Sequence, residues 1–161
     1  MLQRFLVLLV CAAGCSSPSG PSVPAPDRCD APTAGSIDAV ELGAAGQAEL
    51  SGNPPATFTP LVEGDGVQLF RGGQGAYMVG FVLRVAGGAA PLCLDQRTAV
   101  YDAAGMRITA AAVPLKTYAQ PDGTRITAAL WMPADYPATF SVTVDAADKS
   151  LTRHLHVDLT K

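Results

Sequence analysis

Hydrophobic and polar residues alternate over most of the chain after about residue 28. The strongest run is Ala76 to Val85, where Tyr77, Val79, Phe81, Leu83 and Val85 fall on one face at period two. Ser36 to Leu42, Val67 to Phe70, Arg97 to Tyr101, Met106 to Val113 and Thr124 to Met132 read as further strands. Val67 to Phe70 follows a tight-turn sequence, Glu63-Gly64-Asp65-Gly66. Asp122-Gly123, between Thr117-Tyr118 and Arg125-Ile126, predicts a hairpin turn because both residues tolerate positive φ. The chain closes in a second hairpin: Ala138, Phe140, Val142 and Val144 alternate with polar residues, Ala146 to Ser150 turns, and Leu151, Leu155, Val157 and Leu159 alternate back. Past the first residues, no segment carries a helical stripe.

Seven to nine short strands in a segment of this length predict an all-β domain, a single antiparallel β-sandwich. The run Asp135-Tyr136-Pro137-Ala138-Thr139-Phe140 resembles the corner that enters a late strand of immunoglobulin-like domains. That resemblance implies an immunoglobulin-like sandwich and gives Tyr136 a structural role, its hydroxyl tying down a loop.

The N-terminus breaks the β pattern. Met1-Leu2-Gln3-Arg4 carries one basic residue, Phe5 to Ala13 is apolar, and Ala12-Ala13-Gly14-Cys15 supplies small residues before a cysteine. Such an n-region, h-region and cleavage site describe a secretory signal. The apolar run is far short of the ~20 residues a membrane-spanning helix needs. The segment resembles the bacterial lipobox, with Ala12 where leucine is commonest. The resemblance implies a signal over residues 1–14, cleavage before Cys15, and acylation of Cys15 as a membrane anchor. Ser16, in place of aspartate, then implies the outer membrane, facing periplasm or exterior. Residues 15–27, rich in Ser and Pro, cannot bury a core and read as a tether. Residues 28–161 are left as one domain.

Cysteine usage agrees with export. Cys11 leaves with the signal and Cys15 takes the lipid, so Cys29 and Cys93 remain as a pair in an oxidising compartment. A disulfide between them is expected, worth about 4 kcal/mol on chain-entropy grounds. The formal net charge of −3 includes Arg4, and no basic cluster exists, which excludes nucleic acid as a partner.

Three features of the sequence could carry chemistry. Arg71-Gly72-Gly73-Gln74-Gly75 looks like a phosphate loop, but a strand follows it in place of a helix N-terminus, so it reads as a glycine-rich turn. The stretch Leu69 to Met78 is similar to a G-x-Q-G segment in envelope lipoproteins of myxobacteria and their relatives, and it makes Gln74 the candidate recognition residue. His154 and His156 share one face of the last strand with Thr152 and Asp158. Two imidazoles and a carboxylate so spaced could hold copper or zinc, which gives the alternative of a periplasmic metal-handling lipoprotein. The same residues also suit a solvated strand face. Met78, Met106 and Met132 read as core fillers and Trp131 as core. No Gly-x-Ser-x-Gly elbow is present. The expectation is therefore a non-enzymatic, lipid-anchored envelope protein with a structural or binding domain. It needs no cofactor, implies no small-molecule substrate, and has the membrane and a possible envelope protein as partners.

Overall fold

The computed structural model describes residues 27–73 and 75–158. The expected signal, Cys15, the tether up to Pro26, and Gln74 lie outside the described residues.

The described chain is all-β. In order it forms β1 (Ala39–Ala44), a single helical turn α1 (Gln47–Leu50), β2 (Thr59–Pro60), β3 (Gly66–Gln68), β4 (Phe70–Arg71), β5 (Tyr77–Ala86), β6 (Cys93–Tyr101), β7 (Arg107–Ala119), β8 (Arg125–Thr127), β9 (Leu130–Pro133), β10 (Thr139–Ala146) and β11 (Lys149–Asp158). Hydrogen bonds join them in the order β2-β1-β5-β8-β7-β6-β10-β11-β3, with β4 and β9 also pairing β5. All pairings are antiparallel except β11 with β3, which is parallel. The sheet is thus mixed, where a purely antiparallel one was expected. It is also continuous, because β7 pairs β6 from Arg107 to Lys116 and then β8 from Thr117 to Ala119.

The sheet curls around one core. Val79, Phe81, Leu83 and Val85 of β5 meet Leu94 and Val100 of β6, Val142 and Val144 of β10, and Leu155 of β11 there. Tyr77, on the same predicted face, sits at the strand end and is exposed. β5 is buried on its other face too, where Val82 joins a second cluster with Phe70, Ile126 and Trp131. Gly80 makes this possible: a Cβ there would come within 2.6 Å of the Trp131 ring. Trp131 packs edge-on against Phe70, so its faces are taken up by protein.

Two expected strands divide differently. Thr124 to Met132 splits into β8, which lies between β7 and β5, and β9, which pairs β5; near the break the buried Thr127 Oγ1 accepts the Leu83 N–H at 2.9 Å. Met106 to Val113 instead continues through Pro114 to Ala119. Proline is tolerated because the Pro114 carbonyl points away from β6, accepting the Cys29 N–H. Its ring nitrogen shares that outward side, so no ladder bond to β6 is lost.

Candidate functional site

Chemistry-bearing residues gather at the two ends of β6. At about 3.3 Å per residue, these ends lie roughly 26 Å apart.

At the Cys93 end the N-terminal segment is clamped onto the sheet. Cys29 and Cys93 form a disulfide with Cα atoms 6.0 Å apart, closing a sequence separation of 64. Arg28 bridges to Leu115, and Ser36 to Ala89. The Thr33 N–H donates to the Cys93 carbonyl, and Thr33 Oγ1 accepts the Cys93 N–H. The Tyr118 hydroxyl donates to Asp27, and burial together with that carboxylate pushes the phenol up to about 12.

At the Tyr101 end, a shallow groove of ≈ 460 Å³ is lined by Asp102, Thr139, Ser141, His154 and His156 among others. Both imidazoles are exposed, on the same outward face as Thr152 and Asp158. They are nonetheless engaged. His154 Nδ1 lies 2.7 Å from Glu63 Oε1, and the His154 backbone N–H donates to Glu63 Oε2 at 3.0 Å. His156 Nδ1 lies 3.0 Å from the Gly64 carbonyl. Its ring lies over Gly66, where an added Cβ would meet Nε2 at 3.0 Å. The backbone N–H of His154 is the first cause that draws Glu63 below its ordinary value; partial desolvation opposes it, and the imidazole and then the Arg153 charge add to the lowering.

Both histidines therefore serve the Glu63–Gly66 segment, and among the described residues no group of three His, Cys, Asp or Glu stands close enough to hold a metal. The alternative copper or zinc site on His154 and His156 lacks a third protein ligand. Asp102 lines the groove, but its Oδ1 accepts the Ala104 and Met106 N–H groups of its own turn. The methionines are scattered: Met132 in the core, Met78 against the second cluster, Met106 exposed. The glycine neighbours of Gln74 form the turn between β4 and β5, with the Gly72 N–H donating to the Ala76 carbonyl and Gly75 at φ 84°.

Sequence reading missed Glu63, which meets His154 across a separation of 91 residues. The Glu63-Gly64-Asp65-Gly66 turn was visible, but nothing in it announces a partner on the last strand. No match emerged with any protein-family model, curated protein or solved structure.

Proposed function

We propose that this chain is an exported lipoprotein, held at the cell envelope through acylated Cys15, whose domain plays a non-catalytic structural or binding role. The observation that carries the proposal is the short basic start, apolar run and Ala12-Ala13-Gly14-Cys15 of the N-terminus. The Cys29–Cys93 disulfide supports it, since such bonds persist in oxidising compartments outside the cytoplasm. Two or more acyl chains give stable anchoring where one is marginal. The outer membrane, facing periplasm or exterior, is the site in this reading.

A non-catalytic role is supported by the exposure of the histidines, whose ring Nδ1 atoms already bond to the Glu63–Gly64 segment. The tether would enter at the clamped end of β6, so the groove at the other end would face away from the bilayer and toward any envelope protein partner.

We further propose that the domain is an immunoglobulin-like sandwich. Three features support it: a β1-β5-β9 grouping beside a β7-β6-β10-β11 grouping, a parallel strand β3 added beside β11, and the Tyr136 hydroxyl donating to the Met132 carbonyl at 2.8 Å just before β10.

Labelling with radioactive palmitate tests the anchor. The wild-type chain should take the label and sediment with membranes, and Cys15→Ser should abolish both. Label retained after Cys15→Ser would refute the assignment.

A further inference from the structure

His154 and His156 lie two apart on β11, so their side chains leave the same outward face. Their cross-strand partners on β10 are Ser141 and Thr139, and all four residues line the groove at this end of the sheet.

The hydrogen bonds of the two rings fix where their protons sit. The Gly64 carbonyl can only accept, so the His156 Nδ1, 3.0 Å away, carries the ring proton. The ionised Glu63 carboxylate also only accepts, so the His154 Nδ1, at 2.7 Å, carries its proton too. In each neutral imidazole the other nitrogen, Nε2, is left with its lone pair. Glu63 and Gly64 are consecutive, so the two acceptors draw both rings to one place on the rim of the groove. Histidines that ligate metal ions are oriented in this way, their second nitrogen donating to a carboxylate or a main-chain carbonyl. Gly66 fits the same purpose. Its φ is not positive, so its backbone would accept a side chain, but a Cβ there would stand 3.0 Å from the His156 Nε2. Glycine keeps the surroundings of that nitrogen open.

We propose that His154 and His156 bind a divalent transition-metal ion through their Nε2 atoms, with Glu63 as a positioning residue. Among the described residues no third His, Cys, Asp or Glu completes a cage. The site is therefore an open one, and water takes the remaining positions. Imidazole nitrogen with water oxygen suits Cu(II), and the usual order of affinities puts Ni(II) and Zn(II) below it. Both rings are exposed, so the ion is exchangeable cargo and not a structural centre. The proposal gives the domain's binding role a ligand, and it stands whether or not Cys15 is acylated.

The test uses the full chain with Cys11→Ser and Cys15→Ser, so that no thiol outside the Cys29–Cys93 disulfide competes for metal. Calorimetric titration with the chlorides of Cu(II), Ni(II) and Zn(II) should find Cu(II) bound tightest, with Kd in about the micromolar range. His154→Ala and His156→Ala should each weaken Cu(II) binding by at least ~10-fold, and together they should remove the site. Glu63→Gln keeps the side-chain shape and both imidazoles, and should weaken Cu(II) binding by about 10–100-fold. The His154 and Glu63 side chains are 72% and 64% exposed, so these variants keep the fold. Nitrogen NMR separates positioning from a merely structural role. Both rings of the parent chain should carry the proton on Nδ1, Zn(II) should shift the Nε2 resonances, and Glu63→Gln should move part of the His154 proton to Nε2. Unchanged Cu(II) affinity in the double histidine variant, unchanged affinity in Glu63→Gln, or a His154 proton on Nε2 in the parent chain would each overturn the proposal.

Discussion

The two ends of β6 are held by different kinds of bond. At the Cys93 end, a covalent bridge and a set of backbone pairings lay residues 27–36 onto the sheet. At the Tyr101 end, the Glu63–Gly66 segment is held to β11 by exposed side chains and a three-residue parallel ladder. Exposed ion pairs contribute about 0–1 kcal/mol, whereas a disulfide closing a long loop contributes several. The first end is therefore built to stay attached and the second to remain adjustable. Under the proposed anchoring through a tether, that division is mechanically sensible: load would enter where the structure is covalent, and the groove lies where the structure can give.

The largest break in this contrast should come from the disulfide. Cys29→Ser with Cys93→Ser is expected to cost about 4 kcal/mol. Urea unfolding with and without reductant measures the cost on the wild-type chain. A loss below about 1 kcal/mol would mean that the backbone pairings alone fix this end and that the covalent bond adds little. Next in size is Gly35→Ala. Its Cβ would lie 2.5 Å from the Ala89 carbonyl oxygen and 2.8 Å from the Pro91 nitrogen, both backbone atoms that cannot swing aside. Overpacking of this kind costs about 1–3 kcal/mol. At the other end, Gly66→Ala meets the His156 ring, a side chain that can rotate, so its cost in the same urea experiment should be smaller. Equal losses for the two glycines would erase the distinction between a rigid and an adjustable end.

The same distinction explains how much of the molecule could be read in the sequence. The β10–β11 hairpin is visible because one face of each strand is apolar and the alternation survives, and β5, though buried on both faces, because Val79, Phe81, Leu83 and Val85 alternate with Gly80 and Arg84 among others. The Cys29–Cys93 pair is visible because these are the two cysteines that lie beyond the apolar N-terminal segment and its small-residue end. β8 and β9 merge in the sequence because Ile126 to Met132 is buried throughout, which removes the alternation that would mark the break. The length of β7 is hidden by Pro114, whose outward orientation depends on a segment some eighty residues upstream. His154 and His156 are placed on one outward face, as period two dictates. What they touch is decided by a parallel strand from the first half of the chain, and no local pattern encodes that contact.

The ends should also part company with pH, and this is the smallest effect. Tyr118 at the clamped end is raised to about 12 by burial and by its bond to Asp27, against an ordinary value of 10.0. A raised phenol stabilises the fold fully below pH 10 and loses that contribution as pH climbs through about 12. Glu63 at the adjustable end is lowered from 4.5, chiefly by the His154 N–H. A lowered carboxylate contributes above that ordinary value and loses its contribution as pH falls below it. Alkali should therefore loosen the clamped end and acid the groove end, with both intact between. The ultraviolet difference between wild type and Tyr118→Phe should report a phenolate midpoint near 12, displaced downward in Asp27→Asn. Exchange at the His154 amide, corrected for its intrinsic pH dependence, should accelerate only below about pH 4.5, and in Glu63→Gln it should lose that dependence. Because Glu63 is exposed, the acid limb should change local exchange without moving the global unfolding midpoint. If acid lowered the global midpoint instead, the Glu63 contact would belong to the cooperative core, and the groove end would be as firmly built as the clamp.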